Sequence, residues 1–123
     1  MTTFSFEKLV VWKDACELSK RVYIITDTFP SKEKYGLISQ LRRSSVSISS
    51  NIAEGSGRRS ARDKARFYEY AYSSLMEVYS QMNLSNQLGY IHDNSLSHFR
   101  VSCQKLATKL NRLHESTSRM IEA

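Results

Sequence analysis

One proline and four glycines in 123 residues leave this chain little of the material from which turns are made. That scarcity excludes a fold of many short strands and favours a few long elements. The two cysteines, Cys16 and Cys103, form no metal-type pair, and in a chain with no secretion signal they read as reduced core residues. No apolar run approaches the roughly 20 residues needed to cross a bilayer. The opening Met1-Thr2-Thr3-Phe4-Ser5-Phe6-Glu7 has neither a basic n-region nor a long apolar h-region, so a cytoplasmic protein is expected. The length suits one domain, residues 1–123, with one core.

Patterns that carry chemistry are also missing. His92, His98 and His114 share no HxxxH or HExxH spacing, and no Glu-x-x-His pair occurs. Gly55-Ser56-Gly57 is not a nucleophile elbow, and Gly55-Ser56-Gly57-Arg58 lacks both the lysine and the preceding strand of a phosphate loop. The expectation is a protein that is not an enzyme and holds no cofactor or metal.

What the chain does have is positive charge, a formal +6 that suggests an anionic partner, either nucleic acid or an acidic protein surface. Between Leu41 and Arg66 stand seven basic residues, Arg42, Arg43, Arg58, Arg59, Arg62, Lys64 and Arg66, against Glu54 and Asp63. This segment spans a helix-to-helix joint, Asn51 to Ser60.

Four helices are predicted. Over Glu7–Phe29, residues Leu9, Trp12, Cys16, Tyr23, Thr26 and Phe29 fall near one face, and Pro30 ends the helix. In the second, Ile38, Leu41, Ser45, Ile48 and Ile52 step by three and four; Ser45–Ser49 alternates as a strand would, but fifteen residues of helical pattern outweigh five. Its many serines are poor helix formers, so packing must hold it, and their small size permits close approach. Gly55 and Gly57 then read as a helix C-terminus, with Ser60 to Asp63 as a capping box opening a third helix that Gly89 closes. The fourth, opened by Asp93 or Ser95, carries Leu96, Phe99, Cys103, Leu106, Leu110, Leu113, Thr117 and Met120 at 3-4-3-4-3-4-3 spacing. Short connections favour an all-α, antiparallel up-down-up-down four-helix bundle.

Two surfaces invite a functional reading. On the third helix, Phe67, Ala71, Ser74, Val78 and Met82 form one stripe and Tyr68, Tyr72, Leu75 and Tyr79 a second, widened by Tyr70 and Met76. The second stripe reads as a subunit interface, as rings lying along the bundle with hydroxyls in water, or as a stacking platform for bases. At the joint, Arg58, Arg59 and Arg62 stand where the helix dipole makes each cation cost about 0.3–1 kcal/mol, so a phosphate or carboxylate would be welcome there. The same arginines read equally as structural ion pairs. Arg43 is expected to point outward with Ser47, Ser50 and Glu54 toward a partner, and Arg42 to clamp Glu69 or Glu77.

Leu9-Val10-Val11-Trp12-Lys13, Phe29-Pro30 with Glu33 and Gly36-Leu37, Gln40-Leu41-Arg42-Arg43, Ser47-Ile48, Asn51-Ile52-Ala53-Glu54-Gly55, Gly57-Arg58 and Leu88-Gly89-Tyr90-Ile91 occur in this order along the chain. Together they resemble the bacterial four-helix bundle family, also called the 23S ribosomal RNA intervening-sequence protein family. Ser44-Ser45 departs from it, since its members commonly have alanines there. The resemblance implies a homopentamer and no known reaction. A distant branch resembles the accessory protein of diversity-generating retroelements, a basic pentameric bundle that works with a reverse transcriptase. The expectation is therefore a homo-oligomeric bundle whose basic joint binds an RNA or DNA backbone. The alternatives are a protein-interaction scaffold held by structural ion pairs, with or without a second protein as partner, or an accessory subunit to a nucleic-acid enzyme.

Overall fold

The computed structural model describes residues 3–121 and contains four long helices: α1 Val10–Thr26, α2 Leu37–Ser56, α3 Ala61–Gln87 and α4 Asp93–Ser118. Short 3-10 turns at Ser5–Lys8 and Ser31–Glu33 precede α1 and α2, and no strand occurs among the described residues. The described residues contain no helix long and apolar enough to cross a membrane.

All four helices feed one apolar cluster. Val11, Ala15, Leu18 and Val22 come from α1, Leu41, Ile48 and Ile52 from α2, Ala71, Leu75, Val78 and Met82 from α3, and Phe99, Cys103, Leu106 and Leu110 from α4. The face that α1 buries is therefore one residue away from the predicted one. Trp12 and Cys16 are half-buried, with Trp12 edge-on to Phe6 at 4.9 Å, and Tyr23 is exposed. Each is the neighbour of a core residue, Val11, Ala15 or Val22, and a step of about 100° separates the two faces. Thr26 and Phe29 are buried as predicted, Thr26 donating to the Val22 carbonyl at 2.7 Å.

Among the helix pairs, α2 packs most extensively on α3, followed by α3 on α4 and α1 on α2, with α1 on α4 the slightest. The α2–α3 seam is lined with small polar residues. Ser44 Oγ donates to the Gln40 carbonyl and approaches Gln81 Oε1 at 2.9 Å, and Ser47 and Ser74 share a hydrogen bond of 2.9 Å. Ser47 thus faces α3 and not the outer surface beside Arg43. Ser44 and Ser45 are fully buried, with Ser45 satisfied by the Arg42 carbonyl. Serine hydroxyls that return to their own helix in this way carry no unmet polar group into the seam.

Gly89 ends α3 as the spacing indicates. It has φ +82°, its N–H donates to the Asn86 carbonyl and the Tyr90 N–H to that of Ser85, the paired bonds of a Schellman turn. On α4, Phe99, Cys103, Leu106, Leu110 and Thr117 are buried, while Met120 lies beyond the helix and is exposed. Tyr90 Oη donates to Glu33 Oε2 at 3.0 Å, tying the α3–α4 connection to the turn before α2.

Candidate nucleic-acid interface at the joint of α2 and α3

Helix α2 continues through Gly55 to Ser56, so Gly55 is no turn residue. It is buried, and a Cβ placed on it would lie 2.8 Å from Tyr68 Cε1 and 2.9 Å from Phe67 Cβ. The glycine is there because α3 crosses against its backbone. Gly57 has φ −87°, an ordinary right-handed value, and its N–H bonds the carbonyls of Ala53 and Glu54. Neither glycine uses the left-handed freedom expected of a helix C-terminus. The cap at Ser60 is as predicted: its side chain accepts the Asp63 N–H at 3.1 Å and starts α3.

The fold separates the seven basic residues into different roles. Arg42 turns toward α1, donating from Nε to Thr26 Oγ1 at 3.0 Å and from Nη2 to Asp27 Oδ1 at 2.9 Å, with its guanidinium 4.5 Å from the Tyr23 ring centroid. It is a clamp, but on α1, where Glu69 and Glu77 of α3 had been the expected partners. Glu69 instead lies 3.5 Å from His114 Nε2, and Glu77 lies 4.0 Å from Arg43. Lys64 Nζ donates to the Ser56 carbonyl at 2.8 Å and so satisfies the C-terminus of α2. Arg58 covers the Phe67 ring at 4.4 Å and pairs with Glu54 at 3.3 Å.

Arg59, Arg62 and Arg66 are exposed, and none makes an ion pair among the described residues. Arg62 and Arg66 are four apart on α3, on one face, and Arg59 precedes its cap. Arg43 is exposed too, but thirteen residues of α2 before Ser56, or about 20 Å along the axis, separate it from the joint. The structure thus leaves Arg58, Arg59, Arg62 and Arg66 at the joint and the first two turns of α3, and Arg42 and Arg43 near the opposite end of α2. Asp63, the acidic residue of the first turn, is half-buried beneath this cluster's own helix cap.

The predicted interface stripe divides as well. Tyr68 and Leu75 are buried in the single chain, so they belong to its core and present no free surface; burial raises the Tyr68 phenol above its ordinary pKa. The mixing arises because α3 sends residues from both predicted stripes inward, Ala71, Val78 and Met82 from one and Tyr68 and Leu75 from the other. Tyr72 and Tyr79 remain half-exposed and line, with Met76 and Ala107, a groove of about 260 Å³ between α3 and α4. Nothing in the sequence marks this groove, whose α4 side is set by the crossing of two helices.

No curated protein matches this chain. A solved structure titled as a protein of unknown function from the S23 ribosomal protein family of Bacteroides thetaiotaomicron VPI-5482 is similar in fold, with a TM-score of 0.76 at 19% identity, covering 85% of this chain and 98% of that one. The family model described as 23S rRNA-intervening sequence protein matches residues 7–112. With the model spanning nearly the whole of the four helices, the chain belongs to the 23S rRNA-intervening sequence protein family.

Proposed function

We propose that this protein is a non-enzymatic, single-domain bundle of the cytoplasm that binds the backbone of RNA or DNA through Arg59, Arg62 and Arg66. The observation carrying this reading is that three exposed arginines, just before and within the first two turns of α3, have no carboxylate within 4.0 Å among the described residues. Arg59 and Arg62, at the first turn, stand against the helix dipole, an arrangement that phosphate relieves. Nothing in the cluster resembles a base-reading element, so affinity should be steeply salt-dependent and indifferent to sequence. Electrophoretic mobility shift with RNA and DNA duplexes and single strands, at several salt concentrations, tests it. Binding that weakens sharply with salt supports the reading; no shift at low salt overturns it.

The bundle is read as antiparallel, up-down-up-down, because Arg42 near the start of α2 meets Thr26 and Asp27 at the end of α1, while Ser5 before α1 meets Ser56 at the end of α2. Self-association is part of the proposal. Met76 is exposed in the Tyr72–Tyr79 groove, and Tyr70, Val101, Ile24 and Val46 are exposed apolar side chains outside it, so more than one face of the bundle offers apolar surface for contact between copies. A ring of five, the state the family resemblance implies, would multiply one modest phosphate site fivefold in number.

A second reading has an observation of its own. Arg42 and Arg58 form ion pairs within the chain, and Lys64 bonds the Ser56 carbonyl, in keeping with a scaffold whose cations are structural. It differs from the first in predicting that the exposed trio is dispensable.

A further inference from the structure

The slight contact between α1 and α4 leaves a groove of about 270 Å³ along their seam. Leu18 of α1 and Leu106 of α4 form its apolar part, and charged side chains rim it. The charges do not cancel. Asp14 is paired with Lys109, and Glu17 with Lys20 at 2.9 Å, so both carboxylates of the groove already hold a lysine. Arg21 has only a neutral partner, donating from Nη1 to Ser102 Oγ at 3.2 Å. Lys105 makes neither an ion pair nor a side-chain hydrogen bond among the described residues.

Lys105 follows Ser102 by three residues, about 4.5 Å of helical rise, so the Arg21 guanidinium and the Lys105 amine serve the same stretch of groove. Leu106 lies beside them. Low-dielectric walls on one side strengthen the attraction of two uncompensated cations for an anion compared with an open surface. The volume is just under the range of about 300–1,000 Å³ typical of ligand pockets, which limits the occupant to a short molecule. We infer that the groove binds a small organic carboxylate, its head between Arg21 and Lys105 and its apolar body over Leu18 and Leu106. Glu17 lines the same groove, and its charge, which the exposed Lys20 offsets only in part, competes with such a ligand.

Titration of the full chain with octanoate, followed by two-dimensional ¹H–¹⁵N NMR, tests this, with acetate and 1-octanol as probes of the head and the tail alone. Saturable shifts centred on Leu18, Arg21, Ser102 and Leu106 are expected with octanoate, and affinities at least about tenfold weaker with acetate and octanol. The double variant Arg21→Ala/Lys105→Ala should weaken octanoate by about tenfold or more, and Glu17→Gln, which removes the competitor without touching either cation, should tighten it severalfold. Shifts that never saturate, that centre on Tyr72 and Tyr79, or that are unchanged in the double variant would overturn the inference, as would weaker binding by Glu17→Gln.

Discussion

Gly55 of α2 and Tyr68 of α3 are so close that a single added methyl on the glycine would stand 2.8 Å from the tyrosine ring. The most extensive of the helix seams thus ends, at the joint, on a residue that has no side chain to move.

This contact predicts opposite outcomes for two neighbouring glycines. Gly55→Ala forces Tyr68 or Phe67 aside and should destabilise by about 1–3 kcal/mol, the usual result of overpacking. Gly57→Ala meets its nearest atoms at 3.6 Å and keeps a right-handed φ, so it should be neutral or stabilise by up to about 1 kcal/mol. Urea unfolding of the two variants checks the pair. Equal effects would return Gly55 to the role of a cap.

At Gly89 the constraint is purely conformational. No atom lies within 4 Å of an added Cβ, yet φ is +82°. Gly89→Ala should therefore cost about 1–2 kcal/mol through backbone strain alone, measured in the same unfolding experiment.

Arg42 is predicted to matter for stability and not for nucleic acid. It holds the end of α1 through Thr26, Asp27 and the Tyr23 ring, so Arg42→Ala should cost about 1–3 kcal/mol. Asp27 is largely exposed, and Asp27→Ala should cost no more than about 1 kcal/mol. A double-mutant cycle between the two should return a small coupling, since most of the Arg42 contribution comes from Thr26 and Tyr23.

The buried Cys103 thiol is pushed up to about 12 by desolvation, with the Arg21 charge opposing weakly. In the unfolded chain it titrates near 8.5. Its folded pKa is the higher, so the stability linked to it is fully present below about pH 8.5 and is lost as pH rises toward about 12. Cys16, raised less and only half-buried, should react with iodoacetamide at pH 8.5 in the native protein well before Cys103 does. Mass spectrometry of the alkylated peptides gives the order.

The sequence carried the four helices, the Ser60 cap, the Gly89 turn and most of the α4 seam because each depends on neighbours within a turn or two. The face of α1 was not legible in the same way: Trp12 beside Val11 and Cys16 beside Ala15 offer two apolar faces, and only the position of α2 and α4 selects between them. Gly55 looked like a cap because its true reason, the passage of Tyr68, lies on another helix. The arginines illustrate the same limit. Seven basic residues close in sequence became clamps at Arg42 and Lys64 and an open cluster at Arg59, Arg62 and Arg66, a division that depends on where α1 ends and how α3 crosses α2.

The most direct test sets two triple variants side by side in a salt titration of binding to a fluorescent single-stranded RNA. Replacing Arg59, Arg62 and Arg66 with alanine should reduce the slope of log K against log salt by about 2, abolish most binding, and leave unfolding within about 0.5 kcal/mol of the parent. Replacing Arg42, Arg58 and Lys64, which are engaged inside the chain, should lower stability first. A parent protein that does not bind at low salt, or an Arg59/Arg62/Arg66 variant that binds with an unchanged slope, would contradict the account.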